Sequence, residues 1–104
     1  MSYLEWQQDP PKDRMTWQEA IAYAESIGDG WRLPTVQELI SQLDFTKSSP
    51  ATSKPGWGLH WYWSSTTYAS YPNHVWAVLF GNGFVLSGVE GLYNYVRCVR
   101  EGGV

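Results

Sequence analysis

From Trp17 onward apolar side chains fall at Trp17, Ala20, Ile21, Ala24 and Ile27, the three-and-four spacing of one helix face. Thr16 followed three residues later by Glu19 is a capping box and Gly28 a stop, so a helix is predicted over 17–27. A second box, Thr35 to Glu38, opens another helix after Pro34, with Val36, Leu39, Ile40 and Leu43 on its inner side. Between the two, Gly28-Asp29-Gly30 is a turn, and Trp31-Arg32-Leu33 is a short extended piece. After Phe45 the helical period is lost, and Thr46 to Gly56 reads as a loop by composition. The period then changes to two. Trp61 to Thr66 reads as a strand, Tyr68 to His74 as a connection, and Val75 to Leu86 as a hairpin turning at Gly81-Asn82-Gly83. Ser87 to Asn94 is a further loop before a closing strand over Tyr95 to Arg100. A short strand, two helices and then strands make an α+β fold.

The hairpin lacks a polar side. Side chains alternate across a strand, so Trp76, Val78 and Phe80 face one way while Ala77 and Leu79 face the other. Either a second layer of the fold or a partner must cover the spare face. Charge follows the same division, because Glu90 is the one formal charge between Lys54 and Arg97.

Composition then removes function classes. The 104 residues suit one domain, 1–104, with too little chain for a second core. Seven Trp and seven Tyr exceed what such a core needs, and these residue types are enriched where proteins bind, so some should lie outside. A net charge of −3 with scattered basic residues gives no grip on phosphates and excludes nucleic acid as a partner. No apolar stretch approaches the roughly 20 residues that cross a bilayer, so membrane insertion is not expected. Met1 to Trp6 lacks the basic start and apolar centre of a secretion signal. As written the chain is therefore cytoplasmic unless it reaches a virion or cell surface as part of a larger body.

Candidate chemistry is sparse. Cys98 stands alone in an alternating segment and reads as a small buried thiol. His60 and His74 can be set beside Ser64, Ser65 and Asp44 as a triad, but no spacing links nucleophile, base and orienter. Calcium takes about six to eight oxygens, and the loops between Lys54 and Arg97 offer Glu90 with Asn73, Asn82 and Asn94. Zinc would need Cys98, His60 and His74, which lack ligand spacing. The expectation is no metal, no cofactor and no catalysis.

Taken together, Trp17-Gln18-Glu19-Ala20-Ile21, Trp31 to Leu39, Tyr62 to Thr66, Val75-Trp76, Phe80 to Gly83 and Val96 to Arg100 resemble the C-terminal domain family of bacterial, Legionella-type collagen-like surface proteins. The resemblance implies a C-type-lectin-like fold: first and last strands paired near the termini, and two helices on a small twisted, mainly antiparallel sheet with long loops. It implies a scaffold of Trp17, Trp31, Leu33, Leu39, Trp63, Trp76, Val78, Phe80 and Val96. Arg32 and Arg97 should hold loops through carboxylates or carbonyls, because a buried guanidinium needs several acceptors. The broad fold is also similar to sulfatase-modifying enzymes, whose chemistry uses a pair of cysteines; this chain has one. Homo-oligomers, trimers among them, go with the resemblance.

A narrower resemblance is to lectin-like variable proteins diversified by retroelements. There, adenine mutagenesis of Asn-type codons yields many residues but never Trp, Met, Lys, Gln or Glu. Thr67 to Val75 obeys that restriction, as do Ala77, Leu79, Gly81, Asn82, Phe84, Leu86 to Val89 and Gly91 to Tyr95. Glu90 falls outside it. The charge-free hairpin and the diversified positions together give a ligand-binding face of Tyr68, Tyr71, His74, Leu79, Phe84, Leu86 and Tyr93, edged by Asn73, Asn82, Glu90 and Asn94. The function expected is an adhesin or receptor-binding module for a protein receptor or glycan. Two alternatives stay open: a subunit that buries this face against its own copies, and an enzyme of the sulfatase-modifying type.

Overall fold

The computed structural model describes residues 3–102. Its chain order is β1 (Tyr3–Trp6), α1 (Trp17–Ile27), α2 (Val36–Ile40), β2 (Trp61–Tyr68), β3 (Tyr71–Leu79), β4 (Val85–Val89) and β5 (Val99–Gly102). Both capping boxes form as the sequence predicts. Thr16 Oγ1 accepts from the Glu19 N–H and Thr35 Oγ1 from the Glu38 N–H, while each glutamate reaches back to its cap. Gly28 ends α1 with φ +62°, a conformation that costs glycine little. α2 is only five residues long, yet Leu43 beyond its end still packs on the same core.

β1 and β5 pair antiparallel from Tyr3↔Gly102 to Trp6↔Val99, bringing the two ends of the chain together. β2, β3 and β4 form a second antiparallel sheet in that order, and a parallel bridge from Tyr62 to Tyr95 flanks β2 on its other side. β3 is therefore central, and both faces of its Val75–Phe80 stretch are packed from within the chain, while Phe84 and Leu86 of the predicted hairpin are exposed. Val75 and Ala77 pack with Trp63, Val96 and Cys98 against Ala20 and Ala24 of α1. Val78 and Phe80 pack with Tyr62 and Trp57 against Val36 and Leu39 of α2. Two half-cores share one strand.

Three sequence expectations are corrected. The connection expected over Tyr68 to His74 is a tight turn at Ala69-Ser70, and β3 begins at Tyr71. Pro72 is tolerated there because it lies where the β2–β3 register shifts, between Tyr68↔Tyr71 and Thr67↔Val75, outside the regular ladder. The closing strand starts at Val99 rather than Tyr95, because the Tyr95 N–H donates to the Trp61 carbonyl at 2.9 Å and its carbonyl accepts from the Trp63 N–H at 3.0 Å, while the Cys98 backbone is taken by Gln7. Its N–H donates to the Cys98 carbonyl at 3.0 Å, its Oε1 accepts from the Cys98 N–H at 2.8 Å, and its carbonyl accepts from Arg97 Nε at 2.8 Å. Of the implied scaffold, Leu33, Leu39, Trp63, Val78, Phe80 and Val96 are buried, whereas Trp17, Trp31 and Trp76 are half-buried.

The irregular segment 46–60 is anchored. The Ala51 N–H donates to the Phe80 carbonyl at 2.7 Å, the Asp44 N–H to Ala51 at 2.8 Å, and the Ser49 N–H to Gly81 at 2.9 Å. Trp57 is fully buried, stacked 4.1 Å from the Phe80 ring.

Candidate ligand-binding surface

The surface begins with an irregularity in β2. Between Trp63↔Ala77 and Thr67↔Val75 this strand carries two more residues than β3, and their polar groups are satisfied by side chains instead of the ladder. Ser64 Oγ donates to the Trp76 carbonyl at 2.6 Å and accepts from the Thr66 N–H at 3.1 Å. The Ser65 N–H reaches the Pro34 carbonyl at 2.8 Å, and Thr66 Oγ1 accepts from the Val36 N–H at 3.0 Å. The Ser-Ser-Thr run thus joins the sheet to the entry of α2. Ser64, named as a candidate nucleophile, is buried and committed to this work.

Such a shift re-aims the side chains beyond it. Tyr68 stacks on Trp76 with centroids 5.2 Å apart, Tyr71 lies 5.7 Å from Tyr68, and His74 lies 5.5 Å from Tyr71. Four aromatic rings form a ladder over the outer end of the β2–β3 hairpin. Tyr71, at 60% exposure, is its most open ring, and Trp76 roots it in the α2-side core. Val89, opposite His74 in the register, extends the patch.

The pleat puts other candidates on the opposite face. Leu86 stands across from Ala77 and Leu79 across from Trp61, so both lie on the α1 side. There Trp61, Trp63, Ala77, Leu86, Gly88 and Leu92 line a groove of about 170 Å³. Trp61 also lines a neighbouring hollow beside Tyr93, Leu59 and His60. The eleven candidate residues therefore do not share one face. Tyr68, Tyr71 and His74 belong to the ladder, while Leu79 and Leu86 belong to the groove face, with Asn94 and Tyr93 at its rim. Asn82 and Phe84 sit at the β3–β4 turn.

Several of the polar candidates have structural partners. Asn82 Oδ1 accepts from the Phe84 N–H at 3.1 Å, an Asx turn that shapes the hairpin loop. Glu90 accepts from Gln18 Nε2 at 3.0 Å, and its carbonyl accepts from the Trp17 N–H at 3.1 Å, tying the segment after β4 to the start of α1. The Asn94 backbone exchanges hydrogen bonds with Met15, and the Asn73 carbonyl accepts from the Glu90 N–H. Sequence reading left out Trp76, which stacks on Tyr68, and Trp61, which lines the groove. Their signal was their place in an alternating strand beside other aromatics, a pattern that core residues share.

The two arginines bind protein atoms. Arg32 forms a two-pronged pair with Glu38, 2.8 Å on each side, and reaches Glu101 at 3.3 Å. That pairing raises the arginine's pKa and holds the Glu38 carboxyl below its ordinary value. Arg97 donates to the carbonyls of Gln7 and Pro55, and its guanidinium lies 4.7 Å from the centre of the Trp57 ring. Burial pushes the Cys98 thiol up to about 12, so it is protonated at neutral pH. Among the described residues no three His, Cys, Asp or Glu side chains converge as metal ligands, and no helix is long and apolar enough to cross a membrane.

The fold thus defines a small α+β domain with paired ends, two capped helices and two antiparallel sheets. A family model, the Lcl C-terminal domain, matches residues 1–100, and the chain belongs to that family. A comparison with curated proteins gives no match.

Proposed function

We propose that the chain is a ligand-recognition module of the adhesin or receptor-binding type, with a C-type-lectin-like fold, and that the Tyr68–Tyr71–His74–Trp76 ladder is its binding site. The ladder, with Tyr71 exposed and Tyr68, His74 and Trp76 half-buried beside it, is the observation that carries the reading. Among the described residues, the exposed Tyr71 and Val89 lie on this face, and Val89 stands across from His74. Rings with polar tips and no formal charge suit an uncharged glycan or the polar and aromatic surface of a protein. The reading includes no catalytic step.

Burial narrows the retroelement reading. Val75 and Ala77 satisfy the codon restriction but are buried against α1, where free variation would break the core. Diversification is proposed for 67–74 and for the exposed positions from Phe84 to Tyr93. A template repeat in the gene, differing from it only at adenines, is the expected record.

The binding test screens the immobilised chain against arrayed neutral and charged oligosaccharides, and then against target cells treated with glycosidase or protease. Tyr71→Ser should weaken capture roughly 30-fold, the effect of an interface residue contributing about 2 kcal/mol. Tyr3→Ser, equally exposed but on β1, should leave capture unchanged. Capture unaffected by Tyr71→Ser would remove the ladder from the site.

A further inference from the structure

Three of the chain's four arginines are spent on protein acceptors: Arg32 on Glu38, Arg97 on the carbonyls of Gln7 and Pro55, and Arg100 on Glu5. Arg14, among the described residues, makes no hydrogen bond and no ion pair. It borders a hollow of about 260 Å³ whose other polar walls are His60, Tyr93, Asn94 and Tyr95. Among the described residues those four side chains are not hydrogen-bonded to protein either, and no carboxylate lines the hollow.

The walls are fixed from behind. The Met15 N–H and carbonyl exchange bonds with the Asn94 backbone at 2.9 and 3.0 Å, which holds Arg14 beside Asn94. The Tyr95 N–H donates to the Trp61 carbonyl at 2.9 Å, and the His60 ring lies 4.2 Å from the Tyr95 ring. Trp61 and Asn94 also line the apolar groove of about 170 Å³ beside Ala77, Leu86 and Leu92. A basic, polar hollow and an apolar groove therefore meet at one indole.

We propose that hollow and groove together are a site for the terminal residue of an acidic glycan, an N-acylated sugar acid. Its carboxylate pairs with Arg14, whose planar fork matches the two carboxylate oxygens. Its hydroxyls meet the Asn94 amide, the His60 ring and the tyrosine hydroxyls, which between them both donate and accept. Its acyl methyl enters the groove beyond Trp61. A peptide carboxy-terminus carries the same charge, but the backbone around the hollow offers it no strand edge. Trp61 and Trp63 are bonded to Tyr95, Met15 to Asn94, and the His60 carbonyl to the Phe80 N–H. A neutral sugar leaves Arg14 unused. The groove lies on the α1 side of β3, across the sheet from the aromatic ladder, so the site stands whether or not the ladder binds ligand.

Nuclear magnetic resonance titration of the full chain tests this, with the α-methyl glycoside of N-acetylneuraminic acid as the probe. Its methyl ester keeps the ring and the acyl group without the charge, and the deaminated acid carries a hydroxyl in place of the acylamino group. The acid should bind at least about tenfold more tightly than the ester, the scale of a charge-assisted pair, and more tightly than the deaminated acid. Added salt should weaken it. Arg14→Gln should bring the acid down to the level of the ester and leave the ester unchanged, while Tyr71→Ser changes neither and so separates this site from the ladder. Arg14 is exposed, so the Arg14→Gln melt should match the parent's, and the ester comparison on the parent chain decides whatever the variant's stability. The proposal is overturned by an acid that does not bind, by equal affinity for acid and ester, or by a folded Arg14→Gln variant that binds the acid as the parent does. A deaminated acid bound as tightly overturns it too, as does tighter binding of N-acetyl-leucine, which would mark a peptide site.

Discussion

Among single residues, Arg97 ties the most distant parts of the chain together. It follows the strand-like run after Asn94, yet it binds the carbonyl of Gln7 near the N-terminal strand and that of Pro55 in the long loop, beside the Trp57 ring. Burial lowers its pKa, but not into a range where it loses its charge at neutral pH. Hydrogen bonds to a charged donor contribute about 1.5–3 kcal/mol each, so Arg97→Met should cost on the order of 3 kcal/mol. Arg97→Lys should recover little of it, because an ammonium lacks the planar fork that reaches two carbonyls at once. Urea unfolding of the three chains measures this. A Met variant within about 0.5 kcal/mol of the parent, the span of inert surface changes, would show that the loop is held by Trp57 and Ala51 alone. The anchoring role of Arg97 was legible in the sequence because a guanidinium in an apolar strand must find acceptors. Trp57 was not, since a lone aromatic between Gly56 and Gly58 belongs to no period.

At the level of elements, both helix starts and the end of α1 were read to the residue, α2 stops at Ile40 short of the expected Leu43, and the strands were read less well, for a physical reason. A capping box is a local chemical event, completed within four residues, so Thr16-to-Glu19 and Thr35-to-Glu38 announce themselves. Strand limits depend on partners far along the chain: Trp61 and Trp63 hold the Tyr95 backbone and Gln7 that of Cys98, which shortens the closing strand, and β3 begins at Tyr71 beyond the register shift. The candidate site was split for the same reason, because the face a residue takes is fixed by register and the register shift lies between Trp63 and Tyr68. The α2 cap also makes a pH prediction. Glu38 accepts from both Arg32 nitrogens and from the Thr35 N–H at 2.8 Å, and its carboxyl is held below its ordinary value of 4.5. A carboxyl with a lowered pKa in the folded state adds stability above its unfolded value, and that contribution is lost as pH falls toward the folded one. The urea midpoint of the parent should therefore drop as pH falls through and below 4.5, and more steeply than that of Glu38→Gln. Parallel pH profiles for the two chains would mean that the Arg32 pairing is silent in stability.

Across the whole molecule, the sharing of β3 between two half-cores decides how the domain comes apart. Trp63 belongs to the α1 side and donates its indole N–H to the Met15 carbonyl at 2.8 Å, while its neighbour Tyr62 belongs to the α2 side. Val75 and Ala77 alternate with Trp76 and Val78 in the same way. Loosening either face frees the strand on which the other packs, so the two cores should unfold as one unit. Replacing the fully buried Trp63 by Ala removes its packing and one of the two donors to the Met15 carbonyl, at a cost of roughly 3–5 kcal/mol. That is a large share of the ~5–15 kcal/mol that holds such a domain together. Near-ultraviolet circular dichroism reports the aromatic clusters and far-ultraviolet dichroism the helices and strands. In the parent the two melts should superimpose, and in Trp63→Ala both should move together to lower temperature. If the variant instead lost the aromatic signal in a separate, earlier step, β3 would be failing to couple the two cores, and each helix would be stabilising its own side of the sheet independently.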